Sequence, residues 1–291
     1  MDPYQNILVV IDGKENRSQT VSKAMCLSKR SNANVTFLNI SNEQEASSPN
    51  FEHSSIYNEV SGKDLSTGEG LQPQITLKSQ TGNSEYRMIL NELSDVHYDL
   101  VIKGKAAQHF NYLGLAMSTD WHLLRESNVP LLLVTNHLWQ QNGAILTAVE
   151  TEESSKAHQF CNHQIIENSK QLAEMLQSNI HLLNCYLGEP VSMSISERTR
   201  ISEKRHHWQD LVKASKELNG KGAETKLFLE VGLPDEVIPN LALKNNVNMV
   251  VMGTSEHNGI FNNIFGHTSE YIIDKLNCDV LAIKPAFEQL H

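Results

Sequence analysis

Holding a phosphate takes a glycine turn, free backbone amides and the start of a helix, and one stretch of this chain combines all three. Gly253 ends a short apolar run, Met249 to Met252, and Thr254 opens the polar loop that follows. Gly266 then stands directly before His267, Thr268 and Ser269. An amphipathic helix is expected from there, because Tyr271, Ile272, Ile273 and Leu276 recur at near-helical spacing. A second apolar run, Val280 to Ile283, stops at Pro285. Strand, glycine loop, helix start, strand is how an open α/β sheet presents free N–H groups and a helix dipole to an anion.

Other chemistries are tested by the residues they require. A dinucleotide site needs G-x-G-x-x-G after the first strand, where Asp12-Gly13-Lys14 offers one glycine. A Ser-Gly-Gly phosphate loop is absent there too, and no G-x-S-x-G elbow occurs. The ends of the third strands, Lys78 and Glu230 to Gly232, supply no aspartate for a phosphorelay. His158, Cys161 and His163 hint at a metal, but on a helix His163 points away from the other two, and no metal is expected. His206 and His207 are adjacent, so they face different directions in a helix made basic by Arg198, Arg200, Lys204, Arg205, Lys213 and Lys216. That helix reads as a solvated face. Asp120 is expected to cap a helix whose Trp121 anchors packing.

These residues need a scaffold of strands and helices in alternation. Strands are expected at Ile7 to Ile11, Val35 to Ile40, Ile75 to Lys78, Leu100 to Lys103 and Leu131 to Val134. Helices are expected at Val21 to Ser31 with Ser18 as N-cap, at Glu85 to Leu93, and at Asp120 to Glu126. Ser41 to Gly70 is polar and acidic, so any helix there should be short or mobile. The order then restarts. Strands Ala144 to Val149, Ile180 to Tyr186 and Thr225 to Val231 alternate with helices Gln159 to Leu176, Ser196 to Leu218 and Glu236 to Leu243. Pro239 falls in the early turns of that last helix.

The restart is a repeat. An offset of 149 takes Gly253 to Gly104, Thr268 to Thr119 and Leu281 to Leu132; near the start an offset of 138 takes Glu150 to Asp12. Two copies of one parallel α/β unit follow, read as domains 1–137 and 138–291. The linker runs from about Asn136 to Gly143, with Leu138 and Trp139 expected to pin it to the surface. The ligand crevice of such a sheet lies at the carboxyl ends of the strands where their order reverses. That groups Glu150, Gly253, Thr254, Gly266, His267 and Thr268 in the second copy, and Asp12, Gly104 and Ser118 in the first.

Length and charge bound the function. The chain has 291 residues, room for two cores, and a formal charge of −10, which argues against a nucleic-acid partner. The longest apolar run, Val129 to Val134, is far too short to span a membrane, and no secretory leader is expected at Met1-Asp2-Pro3. The four cysteines form no CxxC pair, which suits a reducing cytoplasm.

The glycine stretch, with Thr119-Asp120-Trp121-His122-Leu123-Leu124-Arg125 and Gly232-Leu233-Pro234-Asp235-Glu236-Val237-Ile238-Pro239, resembles the universal stress protein family, in its tandem E-type branch. The resemblance spans nearly the whole chain. It implies an α/β fold of two open parallel sheets, each of order 3-2-1-4-5 (the HUP-like arrangement), forming an internal pseudo-dimer. Nucleotide-binding members carry Gly, two residues, Gly, nine residues, Gly, then Ser or Thr. Here Glu256 replaces the second glycine and His267 the Ser/Thr, with Thr268 one place late. The first copy has the family's ribose-facing aspartate, Asp12, but Ala107 and Met117 stand at glycine positions; the second has Glu150 for that aspartate. The expectation is therefore a non-enzymatic stress-response protein with degenerate nucleotide sites and no required cofactor. The alternatives are an ATP-binding, slowly hydrolysing member using Gly253, Gly266 and Thr268, and a carrier of an apolar ligand or lipid. Expected partners are a small molecule, nucleotide or apolar, and a second copy of the chain as a possible homodimer.

Overall fold

In a computed structural model of the chain, the described residues are 4–12, 16–41, 73–106, 118–150, 156–186, 197–216, 225–254 and 265–284, with backbone alone at 156–158, 197–204 and 265–268. The chain divides into two compact units, Met1–Asn136 and His137–His291.

The first unit runs β1 (Asn6–Ile11), α1 (Arg17–Ser31), β2 (Asn34–Ser41), β3 (Ile75–Thr81), α2 (Glu85–Asp95), β4 (Leu100–Gly104), α3 (Thr119–Glu126) and β5 (Leu131–Val134). Its strands lie in the order β3-β2-β1-β4-β5, and every pairing is parallel. The second unit runs β6 (Ala144–Val149), α4 (Lys156–Leu176), β7 (Asn179–Tyr186), α5 (Glu197–Ser215), β8 (Thr225–Val231), α6 (Pro234–Lys244), β9 (Met249–Gly253), α7 (Phe265–Lys275) and β10 (Asp279–Ile283). Its order, β8-β7-β6-β9-β10, is the same topology, again parallel. Ile7, Leu8, Val9, Val10 and Ile11 are all essentially inaccessible, as are Val250, Val251, Val280 and Leu281. Such unbroken apolar runs form where helices cover both faces of a parallel sheet. β3 and β8, each at the far side of its unit's strand order, alternate or stay half-exposed and carry the polar residues Lys78, Gln80, Lys226 and Glu230.

Several local expectations are corrected. Ser18 lies inside α1, not at its cap; the N-cap is Asn16, held in the left-handed region at φ 71 with no side-chain cap bond. Asparagine tolerates that region better than serine does. Asp120 is not the cap of α3 either: Ser118 is, its hydroxyl accepting from the Trp121 N–H at 3.3 Å. In the linker only Trp139 acts as the expected pin. Its Nε1 donates to Asp279 Oδ2 at 2.8 Å, while Leu138 is 67% exposed. Asn248 adds a second tie, exchanging two hydrogen bonds with the backbone of Gln140 at 2.8 and 2.9 Å. The reading of Ser41 to Gly70 falls almost wholly outside the described residues. Among those residues no helix is long and apolar enough to cross a membrane.

Candidate functional site

The crevice of the first unit opens where β1 and β4 lie side by side, with Val10 opposite Lys103. Asp12 follows β1, and Lys103 and Gly104 end β4. Lys103 is only 1% exposed, and its ammonium lies 3.0 Å from Asp120, 3.2 Å from Asp12 and 3.5 Å from Glu85. It also donates to the Gly104 carbonyl at 3.1 Å. The carboxylates are themselves tied down: Asp120 Oδ2 accepts from the Ala106 N–H at 2.8 Å, and Glu85 Oε2 from the Thr119 hydroxyl at 3.1 Å. Burial alone pushes the lysine down. The charges of Asp120, Glu85 and Asp12 outweigh burial and hold it above the ordinary range, so it stays an ammonium. One cation thus faces three carboxylates, contributed by the end of β1 and the first turns of α2 and α3. Asp12 spends its charge on Lys103, and the crevice floor is anionic.

The second unit fills the corresponding place differently. The offset of 149 puts Met252 where Lys103 stands and Ser269 where Asp120 stands. Gly253 ends β9 under α4, and a β-carbon there would lie 2.9 Å from Cys161 Sγ and 3.2 Å from Ile165 Cδ1. Its missing side chain therefore admits the helix to the sheet. Thr254 is nine-tenths buried, and its N–H donates to the Ile283 carbonyl at 2.9 Å. Glu150 follows β6 and is clamped by Asn162, which accepts from its N–H at 3.2 Å and donates to its carbonyl. Burial pushes the Cys161 thiol up to about 12, with the charge of Glu150 adding to the effect. Gly266, His267 and Thr268 lie in the first turn of α7, which begins at Phe265. Glu256 lies outside the described residues.

The structure thus gathers Asp12, Gly104 and the α3 start capped by Ser118 around a charge network, and Gly253 and Cys161 into one packed contact. Sequence reasoning missed Lys103, Glu85 and Asn162, and weighed Cys161 only as a metal ligand. The signal for Lys103 was available: a lysine in an otherwise apolar strand, Leu-Val-Ile-Lys-Gly, opposite methionine in the repeat. Of the candidate metal residues, Cys161 lies on α4 and is buried against Gly253 of β9, and no cluster of metal-ligating type occurs among the described residues. His206 is exposed beside Asp210, whereas His207 turns inward and stacks on Tyr186 with centroids 4.5 Å apart.

Comparison with known proteins agrees with this architecture. The sequence matches the universal stress protein family over residues 3–135 and again over 142–284. It is 30% identical to universal stress protein E of Salmonella typhi, over 98% of this chain and 96% of that protein. The Escherichia coli K12 protein of the same name is 29% identical, over 98% and 95%. A structure from Pseudomonas aeruginosa UCBPP-PA14 described as a universal stress protein superposes with a TM-score of 0.75 at 21% identity, covering 98% of this chain and 94% of that one. A universal stress protein from Archaeoglobus fulgidus DSM 4304 gives a TM-score of 0.62 at 15% identity, covering 98% and 97%. Those two likenesses carry the fold; the sequence matches carry the family. With two copies of its domain in one chain, the protein belongs to the universal stress protein family.

Proposed function

We propose that this chain is a non-enzymatic, cytoplasmic stress-response protein that acts by binding or regulation, and that neither of its crevices is built to hold a nucleotide. The observation that carries this reading is Lys103, buried among Asp12, Glu85 and Asp120. A nucleotide entering there would have to displace an ion-paired aspartate, leaving a buried ammonium short of a partner. Its phosphates would also approach three carboxylates offset by a single cation. In the second unit the support is steric: Gly253 is packed against Cys161 and Ile165, so the glycine has a structural reason to be there. The cytoplasmic assignment rests on four free thiols in a chain without CxxC spacing. Calorimetric titration of the purified protein with ATP tests the reading. Weak or no binding, and no phosphate release above buffer, is expected. Micromolar ATP affinity abolished by Gly266→Val would overturn it in favour of an ATP-binding second unit. Mass spectrometry of protein purified without added ligand separates the remaining cases: a co-purifying nucleotide counts against the proposal, a co-purifying apolar molecule names a cargo.

A further inference from the structure

β8 is the last strand in the second unit's order: β7 pairs with one side of it, and no described strand pairs with the other. Its pairing fixes which backbone groups face outward. Gly232, directly after β8, donates its N–H to the Tyr186 carbonyl of β7 at 3.0 Å. Backbone groups alternate in direction along a strand, so Lys226, Phe228 and Glu230 turn theirs toward β7. Thr225, Leu227, Leu229 and Val231 turn theirs away from it. Such an edge is a template for another strand. Val231 is 59% exposed and Lys226 is exposed as well. Neither Lys226 nor Glu230 has an ion-pair partner among the described residues.

The charges on this edge are symmetric about its middle. Lys226 lies two residues before Phe228 and Glu230 two residues after it. An antiparallel copy related by a two-fold axis through Phe228 sets each Lys226 directly opposite Glu230 of the other chain, and each Leu227 opposite Leu229. In that register the outward residues exchange hydrogen bonds, and the charged pairs fall at the closer, non-hydrogen-bonded positions. An axis through any other residue of β8 leaves the charges unmatched or sets like against like. The first unit lacks this device. Matching Gly82 to Gly232 puts Lys78 where Phe228 stands, so the same axis would set Lys78 against its own copy. We propose that the free edge of β8 binds a second copy of this chain, antiparallel and centred on Phe228, with reciprocal Lys226–Glu230 pairs fixing the register. The edge is independent of the two crevices.

The test is sedimentation velocity on the full-length protein over a concentration series, where the wild type should show a monomer–dimer equilibrium. Lys226→Glu and Glu230→Lys should each weaken the dimer at least about tenfold, because each sets like charges opposite one another at both symmetric positions. An equimolar mixture of the two variants should recover the dimer to within about threefold of wild type, since a mixed pair again matches every charge with its opposite. The double variant Lys226→Glu, Glu230→Lys, which carries the swap on one chain, should recover it too. A wild type that stays monomeric up to about 100 µM would overturn the proposal. So would a dimer that survives both single reversals, which would lie on another surface, or a mixture and a double variant no stronger than the singles.

Discussion

A lysine in the floor of a buried strand is tolerable only because its charge is met from several sides, and Lys103 is met by Asp12, Glu85 and Asp120. Replacing it by methionine, the residue at the matching place in the second unit, leaves three carboxylates crowded without a cation. Lys103→Met should cost about 3–5 kcal/mol in chemical denaturation at pH 7. The pH dependence has a definite sign. The folded ammonium is held above its ordinary value of 10.5, so its contribution is complete below that pH and is lost as pH rises through the folded value. The stability gap between wild type and Lys103→Met should therefore persist from pH 7 to pH 10 and narrow only above about 10.5. A gap that closes between pH 7 and pH 9 would contradict the ion-paired assignment. Gly253 makes a steric claim. Gly253→Ala puts a methyl 2.9 Å from Cys161 Sγ and should destabilise by about 1–3 kcal/mol. Adding Cys161→Ala should recover part of that, so the double variant costs less than the sum of the two singles.

Elements were more legible than contacts. Leu131–Val134 and Ala144–Val149 follow the sequence expectation residue for residue, because short apolar runs bounded by turn residues fit a covered parallel sheet; Thr225–Val231 does so too, as a half-exposed strand that keeps Lys226 and Glu230. Helix starts were less legible. Ser18 and Asp120 are both good cap residues by type, yet Asn16 and Ser118 take those positions, and Asp120 is drawn inward by Lys103, 17 places earlier in the chain and distant in any local pattern. The candidate crevices were visible as strand ends and glycines. What fills them was not, since Lys103 meets partners from three other elements. The division of labour at α3 is testable in a thermal melt. Ser118→Ala should cost about 1 kcal/mol, the usual worth of a cap. Asp120→Ala should cost about 3 kcal/mol or more, because it strips a buried lysine of its nearest partner and the Ala106 N–H of its acceptor. Equal losses would show that Asp120 acts only locally.

Across the whole molecule, the repeat repeats topology but not chemistry. Both units run their strands in one order, while the place of Lys103 in the first is taken by Met252 in the second. The linker belongs by its bonds to the second unit, through Trp139 to Asp279 and Gln140 to Asn248. Trp139→Phe should lower the stability of a 137–291 fragment by about 1–3 kcal/mol, read by urea denaturation, since it takes a donor from a fully buried carboxylate. The unequal crevices also bear on descent. Lys103 without its three carboxylates is a stranded charge, and the carboxylates without Lys103 repel one another, so the four residues are energetically interdependent. A duplicated gene can drift into such a quartet while its twin carries the older task. Leaving it again by single substitutions means passing through a destabilised intermediate at every first step. The first half of this chain therefore sits behind a mutational ratchet, and its two halves are no longer interchangeable spares.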